Sequence, residues 1–209
     1  MASAATSSPA PARSALLIVD LLNDFFERSP VLAAVRPRLV ASTNALARAF
    51  RAAGQPVFWI RQEFASDLRD AFLEMRAKDI RVTIAGTTGC ELLPELDRLA
   101  DDPVIVKKRY SAFFGTNLDD LLGPLRPSFL VVAGVNTHAC VRMTVIDAYQ
   151  RDHEVVIAAD CVASSDHRHH EVTVSYLEDK IARVLGNDEI VALLAAPARS
   201  AGQSSQSGR

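Results

Sequence analysis

Residues 128–143, "SFLVVAGVNTHACVRM", join an apolar run to an amphipathic one through a short irregular segment. The run 128–134 has the length of a strand, and its continuous apolarity is typical of a strand that is covered on both faces. It ends at Gly134, and Cys140 lies at the start of the segment 139–151, whose pattern predicts a helix. A buried strand followed by a helix indicates a parallel sheet, because parallel strands need a crossover connection.

The same alternation of apolar and amphipathic stretches extends from about residue 14 to about residue 195. Further strands are predicted at 14–20, 56–61, 103–108 and 154–160, with a weaker one at 180–186. Further helices are predicted at 35–53, 67–77, 117–123, 167–178 and 187–195. This order predicts an α/β fold, a three-layer sandwich in which a mostly parallel sheet has helices on both faces.

The composition is that of an ordinary soluble protein, with 49% hydrophobic and 23% charged residues. At 209 residues the chain predicts one domain, which we place at 14–195. The Ala-, Ser- and Pro-rich ends predict a flexible arm at 1–13 and a flexible tail at 196–209. A net charge of −2 argues against nucleic acid or an anionic membrane as the main partner. No apolar run approaches the roughly 18 residues that span a bilayer.

The start of the chain lacks the basic and apolar regions of a signal peptide. The three cysteines, Cys90, Cys140 and Cys161, are widely spaced and form no CxxC pair. An odd number of separated cysteines fits a reducing cytoplasm better than a disulfide framework, and it gives no zinc-like cluster. We therefore expect a cytoplasmic protein.

The residues that follow the predicted strands matter most, because open parallel sheets bind ligands outside the carboxyl ends of their strands. Asp20 ends the first strand, a Lys107–Lys108 pair ends the third, and Cys140 follows the fourth. Taken singly, the aspartate can cap a turn, the lysines can be solvated charges and the cysteine can be a packed thiol. Together they place an acid, an ammonium and a thiol at one edge of the sheet.

These three groups suffice for acyl transfer to sulfur followed by hydrolysis. A thiol attacks as the thiolate, which a nearby ammonium and the positive end of the helix 139–151 favour. Asp20 can take the proton from the thiol and return it to a leaving amine. Peptide N–H groups of the turn "VNTHAC" can stabilise the developing oxyanion.

Three motifs make the chain resemble the isochorismatase-like cysteine hydrolase superfamily, which includes nicotinamidases, N-carbamoylsarcosine amidohydrolases and ureidoacrylate amidohydrolases. The motifs are "ALLIVDLLNDFF" (15–26), "VIVKKRYSAFFGTNLDDLL" (104–122) and "LVVAGVNTHACVRMTVIDAYQRDHEVVIAADCVAS" (130–164). The similarity covers 14–195 in order, and the second and third motifs are the most specific. The resemblance implies a six-stranded parallel sheet and, commonly, a homodimer or homotetramer.

The resemblance also implies the roles of individual residues. The catalytic triad of the family falls on Asp20, Lys107 and Cys140. Lys107 is preferred to Lys108 because the family lysine lies six residues before the Phe of the "SAF" element, here Phe113.

The turn before the nucleophile carries a further implication of the resemblance. The cis peptide bond of the family falls between Val135 and Asn136, and the oxyanion-hole donors are the amides of Asn136 and Cys140. The chain departs from the family at Leu22, where a Gln is usual, and this puts in doubt any contact made by that Gln.

Two departures narrow the chemistry. Nicotinamidases hold a metal with an Asp-x-His-type motif after the second strand, but the segment "WIRQEFASDLRD" (59–70) contains no histidine. We therefore expect no metal and no other cofactor. True isochorismatases cleave a vinyl ether without a cysteine nucleophile, so Cys140 argues against that reaction.

Several other residues are candidates for contact with a small-molecule substrate. Phe25 lies near the expected pocket mouth, and Arg61, Gln62 and Arg69 lie at or beyond the end of the second strand. The arginines could bind a substrate carboxylate bidentately, or they could be ordinary surface charges.

The histidines offer further alternatives. His138 could pair with the thiol of Cys140 in place of Asp20. The stretch "DHRHHE" (166–171) invites a metal, but its spacing does not put three ligands on one helix face, so a solvated or interface-facing helix start is the better interpretation. Cys90 and Cys161 are expected to be structural.

The sequence thus predicts a metal-independent cysteine hydrolase that cleaves a C–N bond of a small amide, carbamoyl or ureido compound. Three alternatives remain open. One is an isochorismatase-like hydrolase of another bond type, and another is a catalytically idle member of the family that binds a small metabolite or a protein partner. The third is a thiol redox or detoxifying protein that uses Cys140 alone, an alternative that gives Lys107 no role.

Overall fold

The computed structural model describes residues 13–196, so the predicted arm at 1–13 and tail at 196–209 lie almost entirely outside the described residues. The strands of the described chain are Ser14–Val19 (β1), Val57–Gln62 (β2), Val104–Lys107 (β3), Phe129–Gly134 (β4), Glu154–Val162 (β5) and Arg183–Leu185 (β6). They form one sheet in the order β3-β2-β1-β4-β5-β6, and every neighbouring pair is parallel. The weakly predicted sixth strand is therefore real.

The helices of the described chain are Asn23–Arg28 (α1), Pro30–Ala52 (α2), Leu73–Lys78 (α3), Leu118–Leu122 (α4), Arg142–Tyr149 (α5), His167–Lys180 (α6) and Asn187–Ala195 (α7). A short 3₁₀ turn covers Thr88–Cys90, and a π-helical turn at Thr137–Val141 leads directly into α5.

The strand order reverses between β1 and β4. From β1 the chain adds β2 and β3 on one side, and it then crosses to β4, β5 and β6 on the other side. Connections that leave two central strands in opposite directions open a crevice at their carboxyl ends. The topology therefore places a candidate ligand site near the ends of β1 and β4.

The sheet is buried on both faces because its central strands carry apolar side chains on both sides. In β1, Leu16 and Ile18 belong to one core with residues of α2 and α7, whereas Leu17 and Val19 belong to a second core with residues of α4, α5 and α6. Full burial of one such side chain contributes about 1.5–3 kcal/mol. The predicted three-layer α/β sandwich with a six-stranded parallel sheet is confirmed.

The helix boundaries differ from the predicted ones where local signals override periodicity. Helix α2 begins at Pro30 rather than at residue 35, because the side chain of Ser29 accepts a hydrogen bond from the amide of Leu32 and Pro30 suits the first helical position. The predicted helix 67–77 is only α3, the single segment Leu73–Lys78. No helix among residues 13–196 has the length and apolarity to cross a membrane.

Candidate active site

The ends of three strands bring together the acid, the ammonium and the thiol. Asp20 directly follows β1, Lys107 is the last residue of β3, and Cys140 lies in the π-helical turn after β4. The backbone of Asp20 is left-handed, with φ of 55°. Aspartate is one of the few residues that tolerate this conformation, and its own amide donates to Ile60 O at 2.9 Å. The turn at Asp20 directs its carboxylate to the carboxyl edge of the sheet.

Gly134 lets β4 end in close contact with β1. Its φ is 114°, and a Cβ atom added there would lie 1.9 Å from Val19 O. The next residue, Val135, donates its amide to the same oxygen at 2.9 Å. Only glycine fits this close approach of two backbones, and the approach sets the position of the turn that carries Cys140.

The side chain of Lys107 joins the other two members of the triad, by which we mean Asp20, Lys107 and Cys140. Lys107 Nζ lies 2.7 Å from Asp20 Oδ2 and 3.4 Å from Cys140 Sγ. It also donates to the carbonyl of Arg109 at 3.1 Å. Asp20 and Lys107 are fully buried, and Cys140 is 4% exposed. The structure therefore brings the three predicted residues into direct contact.

Neighbouring groups fix the triad in place. The backbone amide of Gln62 donates to Asp20 Oδ1 at 2.8 Å, which leaves Oδ2 for Lys107. The hydroxyl of Thr144 donates to the carbonyl of Cys140 at 2.7 Å and accepts from the amide of Ala112 at 3.0 Å. Hydrogen bonds to the surrounding elements thus hold the side chain of Asp20 and the backbone of Cys140.

The electrostatics of the buried triad differ from the expected ones. Burial raises the pKa of the Cys140 thiol well above its usual range, because the Lys107 ammonium only partly offsets the cost of a buried thiolate and the Asp20 carboxylate adds to it. Lys107 favours the thiolate, as expected, but burial outweighs this contribution.

Lys107 itself keeps its charge. Burial favours the neutral amine, but the negative charge of Asp20 and the hydrogen bonds to Asp20 and Cys140 outweigh burial and raise the pKa of Lys107. A buried ammonium at hydrogen-bond distance from Sγ stabilises negative charge on the sulfur once the proton has left.

The turn before Cys140 has the geometry that the resemblance implies. The Val135–Asn136 peptide bond is cis. The carbonyl of Asn136 accepts hydrogen bonds from the amides of Ala139 at 3.0 Å and of Val141 at 3.2 Å, which flank Cys140. Asn136 Oδ1 accepts from the amide of Ser165 at 2.8 Å, and this bond ties the turn to the segment after β5. The role of the Asn136 and Cys140 amides as oxyanion donors remains a prediction.

A cleft of about 490 Å³ leads from the surface to Cys140. Its outer part, which we call the rim, is formed by α3 with the residue before it and by the loop that follows. The residues of the rim are Phe72, Leu73, Met75, Ile80 and Val82. The ring of Phe72 lies 4.7 Å from that of Tyr110, which also lines the cleft, so an aromatic pair flanks the entrance.

Hydrogen bonds with helix α1 hold the loop after α3 that contributes Val82 to the rim. Asp24 Oδ2 accepts from the amide of Thr83 at 2.6 Å, and the guanidinium of Arg28 donates to the carbonyl of Arg81 at 2.8 Å. Thr83 is left-handed with φ of 54°, an uncommon conformation for a β-branched residue. These contacts fix the segment that presents Val82 to the cleft.

Only two of the four predicted substrate contacts line the cleft. Phe25 and Gln62 line the cleft. The structure does not bring Arg61 there, because adjacent residues of β2 project to opposite faces and Arg61 forms ion pairs with Glu63 and Glu91 at 2.7 and 3.0 Å. Arg69 also lies outside the lining, exposed and paired with Asp67 at 3.0 Å.

The two adjacent lysines also separate, as strand alternation predicts. Lys107 is fully buried, whereas the side chain of Lys108 is 38% exposed and its Nζ lies 3.1 Å from Asp70 Oδ2. Lys108 therefore contacts the segment after β2 and not the triad.

The histidines form a hydrogen-bonded group beside the cleft. His138 lines the cleft, and its Nδ1 lies 2.5 Å from Ser164 Oγ, not against the thiol. His169 contacts Asp166, and His170 Nδ1 lies 2.9 Å from Thr137 Oγ1. Residues 13–196 contain no group of three His, Cys, Asp or Glu side chains that could hold a metal ion.

The sequence analysis missed several residues of the site. Thr144 and Ser164 each form a hydrogen bond with a residue that is distant in the sequence, Ala112 and His138 respectively, and no local pattern marks them. Tyr110 could have been found as an aromatic residue close to the end of β3, whereas Phe72 is not close to a strand end. Cys90 and Cys161 are fully buried, and the thiol of Cys161 donates to Asn187 Oδ1 at 3.2 Å.

Fold and site together define a class, an α/β protein with a buried Asp-Lys-Cys triad at the switch point of a parallel sheet. Residues 14–189 match the isochorismatase domain. The chain therefore belongs to the isochorismatase family of hydrolases.

Three similar proteins illustrate the range of this family. The chain is 34% identical over 168 residues to a probable inactive nicotinamidase of Arabidopsis thaliana, covering 77% of this chain and 86% of the relative. It resembles the structure of N-carbamoylsarcosine amidase from Thermoplasma acidophilum, with 29% identity, a TM-score of 0.71 and coverage of 84% and 97% of the two chains. It also resembles nicotinamidase from Bacillus subtilis, with 28% identity, a TM-score of 0.71 and coverage of 82% and 98%.

Proposed function

We propose that the protein is a cysteine amidohydrolase that cleaves a C–N bond of a small amide, carbamoyl or ureido compound through a thioester. The observation that carries this proposal is the position of Lys107 Nζ, 2.7 Å from Asp20 and 3.4 Å from Cys140 in a buried site. The names of the two similar amidases support it.

The first half of the reaction forms the thioester. Asp20 takes the proton of the Cys140 thiol, and the sulfur attacks the carbonyl carbon, so that an S–C bond forms and the carbonyl π electrons move to oxygen. The amides of Asn136 and Cys140 donate to this oxyanion. When the oxyanion collapses, the C–N bond breaks and the protonated Asp20 gives its proton to the leaving nitrogen.

The second half returns the protein to its starting state. Asp20, again a carboxylate, takes a proton from a water molecule that attacks the thioester carbon. The C–S bond then breaks, the product acid leaves, and the sulfur regains a proton from Asp20. Lys107 stays protonated throughout and stabilises the charge on sulfur and on Asp20 in turn, because its pKa is raised.

The position of Asp20 supports its role as the base that activates the thiol. Burial raises the pKa of the Cys140 thiol, so a base in the same site is needed to remove its proton. Asp20 lies in that site, because Asp20 and Cys140 both contact Lys107. His138 is a weaker candidate for this role, since its Nδ1 contacts Ser164.

The test is an ammonia-release screen over primary amides, ureides and carbamoyl compounds, with Cys140→Ala as the blank. Asp20→Asn is the second variant, since asparagine tolerates the left-handed backbone at this position but cannot accept the thiol proton. We expect turnover by the natural sequence, none by either variant, and a thioester adduct on Cys140 in the mass spectrum of the rapidly quenched protein. Near-normal turnover by Asp20→Asn would remove Asp20 as the base.

We also propose that no metal takes part, because the segment after β2 offers no histidine. Turnover is therefore expected to survive exhaustive chelation. Loss of activity that zinc, iron or manganese restores would overturn this part of the proposal.

A second candidate function is binding without turnover. The 34% identical relative is described as a probable inactive nicotinamidase, so a complete family fold does not by itself imply catalysis. An idle protein would release no ammonia from any compound of the screen and would still bind some of them in calorimetry. Release above the Cys140→Ala blank would exclude it.

A further inference from the structure

The walls of the cleft that leads to Cys140 are mainly apolar. Six of the residues that line it have large apolar side chains: Phe25, Phe72, Leu73, Met75, Ile80 and Val82. A ligand that fills such a cleft gains binding energy from the apolar surface that it removes from water.

The charges of the lining are unfavourable to an anion. Its one carboxylate, Glu74, lies 2.8 Å from Lys78, and within residues 13–196 the lining includes no arginine and no lysine. Burial lowers the pKa of His138, so this residue is uncharged at neutral pH. Lys107 lies below the cleft, but the contact with Asp20 neutralises its charge.

The guanidinium of Arg109, beside the cleft, is already engaged by neighbouring groups. Arg109 packs over the ring of Phe72 with its Cζ atom 5.3 Å from the ring centroid. It donates to the carbonyls of Asp70 at 2.8 Å and Lys108 at 2.6 Å. Arg109 therefore supports the rim from behind and is not free to bind a carboxylate.

The lining does provide a neutral hydrogen-bonding group. Gln62 lines the cleft and is 5% exposed, and its Nε2 has no hydrogen-bond partner within the described part of the chain. An unpaired buried amide group costs free energy that a neutral acceptor on a ligand would offset. Gln62 can supply this contact without a charge.

We propose that the substrate is an uncharged amide with an apolar or aromatic body, and that amides bearing a carboxylate are discriminated against. This inference rests on the proposed amidohydrolase function. Its physical basis is that a carboxylate moved from water into this cleft would lose its hydration and find no cation there. Among the similar enzymes, this separates an uncharged amide such as nicotinamide from a carboxylate-bearing one such as N-carbamoylsarcosine.

The test uses pairs of amides that differ by one carboxylate, namely benzamide against 4-carbamoylbenzoate and butanamide against succinamate. We expect kcat/KM to be at least about tenfold higher for the uncharged member of each pair. Preference for the anionic members would overturn the inference while leaving the amidohydrolase function standing. Absence of all turnover would instead count against the function.

A binding measurement decides the substrate class even without turnover. Each compound is tested for its ability to slow the alkylation of Cys140 by iodoacetamide, since Cys140 lines the cleft. Benzamide should protect at concentrations at least about tenfold lower than 4-carbamoylbenzoate does. Equal protection, or better protection by the anion, would contradict the inference.

A variant can shift this preference. Met75→Arg places a guanidinium in the rim and should raise kcat/KM, or protection, for the anionic members relative to the uncharged ones by several-fold. The matched control is Met143→Arg, at a methionine that is 38% exposed on α5 and lies outside the cleft lining. The same shift in both variants would show a general charge effect and remove the support for this cleft.

An independent observation concerns the outer face of helix α6. Val172 and Tyr176 are 59% and 47% exposed, one turn apart on this face. Arg168 lies one turn before Val172, and Asp179 lies near the other end of the same face. Arg168 makes no ion pair within residues 13–196, and Asp179 contacts Lys180.

When α6 is laid antiparallel to a copy of itself, the basic residue at one end of this face meets the acidic residue at the other end. The pairs Arg168 and Asp179, Glu171 and Tyr176, and Val172 and Ser175 are all centred on the same point of α6, between Thr173 and Val174. Two copies of α6 packed antiparallel about a two-fold axis would therefore place Arg168 of each copy opposite Asp179 of the other. The small Ser175 near the centre allows close approach of the helices.

We infer that this face binds a second copy of the chain and forms a homodimer through antiparallel α6 helices. Such an isologous interface has apolar side chains near its centre and an ion pair at each end. The guanidinium of Arg142 lies 5.5 Å from the ring centroid of Tyr176 and orients that ring from the neighbouring helix α5.

Sedimentation velocity tests the interface. The natural sequence should be dimeric at about 100 µM, and Arg168→Glu and Asp179→Lys should each raise the dimer Kd at least about tenfold. The double variant should restore a Kd within about threefold of the original, because the reversed charges pair again. Arg98→Glu, at an exposed arginine before β3, is the control. A monomeric natural sequence, or a dimer that neither reversal weakens, would overturn the inference.

Discussion

The triad and the rim lie at opposite ends of one cleft and are built in opposite ways. Asp20 and Lys107 are fully buried, and the turn before Cys140 depends on a backbone contact between β1 and β4. In the rim, Leu73 is 75% exposed and Ile80 is 37% exposed. The rim consists of the six-residue helix α3, the residue before it and the loop after it.

This difference suggests how the protein divides its tasks. The triad depends on the ends of the same strands that bury the core, so a change there disturbs the fold and the chemistry together. The rim adds little to the core, so its side chains can change with little effect on stability. We therefore expect substitutions in the triad and the strand ends to act on folding and kcat, and substitutions in the rim to act on KM.

The largest effect is expected at the backbone contact beneath the triad. Gly134→Ala should lower the free energy of unfolding by at least about 4 kcal/mol or prevent folding, because its Cβ would lie 1.9 Å from Val19 O. Gly54→Ala is the matched control, since Gly54 is also left-handed with φ of 67° but has no atom within 4 Å of an added Cβ. It should cost only about 1–2 kcal/mol. Urea unfolding followed by circular dichroism measures both, and equal losses would mean that backbone conformation alone explains Gly134.

The second prediction compares the two adjacent lysines. Lys107→Ala should lower kcat/KM roughly 100-fold or more, because it removes a buried charge that stabilises the reacting sulfur. Lys108→Ala should stay within a few-fold, since Lys108 contacts Asp70 outside the triad. Both variants need a thermal melt beside the kinetic assay, because removing Lys107 also leaves Asp20 buried without its partner. If both variants folded and lost the same amount of activity, the conclusion that Lys107 belongs to the triad and Lys108 does not would be wrong.

The sequence predicted the triad better than the rim, and the comparison explains why. Strand β1 is buried along its whole length and has a strong apolar signal, so Asp20 follows directly from its end. Strand β3 lies at the edge of the sheet and alternates exposed and buried residues, but its apolar run still marks Lys107 as the strand end. The rim has no such signal: α3 is too short for a periodic pattern, and the predicted helix 67–77 was correspondingly misplaced.

Other parts of the site depend on contacts that a single sequence does not show. Thr144 bonds to the carbonyl of its own helical turn and to an amide 32 residues away, and only the folded chain brings these groups together. The direction of the Cys140 pKa shift also depends on complete burial, which the motif did not reveal. Arg61 illustrates the same limit, because its pairing with Glu63 and Glu91 is a matter of strand face and not of position along the chain.

The third prediction concerns the rim. Leu73→Ala should change the free energy of unfolding by no more than about 0.5 kcal/mol, because the side chain is largely exposed. It should raise KM several-fold for the best amide found, with little change in kcat, because Leu73 lines the cleft far from the bond that breaks. Leu99→Ala, at a leucine that is 53% exposed and outside the cleft lining, is the control and should leave both constants unchanged. A loss confined to kcat would place Leu73 in the catalytic geometry instead.

The smallest effect concerns pH and three partly buried histidines. Burial lowers the pKa values of His138, His153 and His170 below their ordinary value of 6.5. The unfolded chain therefore binds more protons than the folded protein just below pH 6.5, so stability should be complete above this pH and should decrease as the pH falls through it. The carboxylates of Asp102 and Asp166 also have lowered pKa values, but their ordinary pKa is 3.8, so they affect stability only at lower pH. Urea midpoints at about pH 7.5, 6.5 and 5.5 should fall in that order.

A single substitution sharpens this prediction. His170→Asn removes the ring that lies 2.9 Å from Thr137 Oγ1 and should reduce the loss of stability between about pH 6.5 and 5.5. His167→Asn changes an exposed histidine of the same helix turn, which lowers the pKa of His170 less than burial does, and it should have the smaller effect on the pH dependence. If His167→Asn flattened the profile as much as His170→Asn did, burial of His170 beneath the turn that carries Cys140 would not be the cause. The pH response would then belong to the surface of α6 and not to the site.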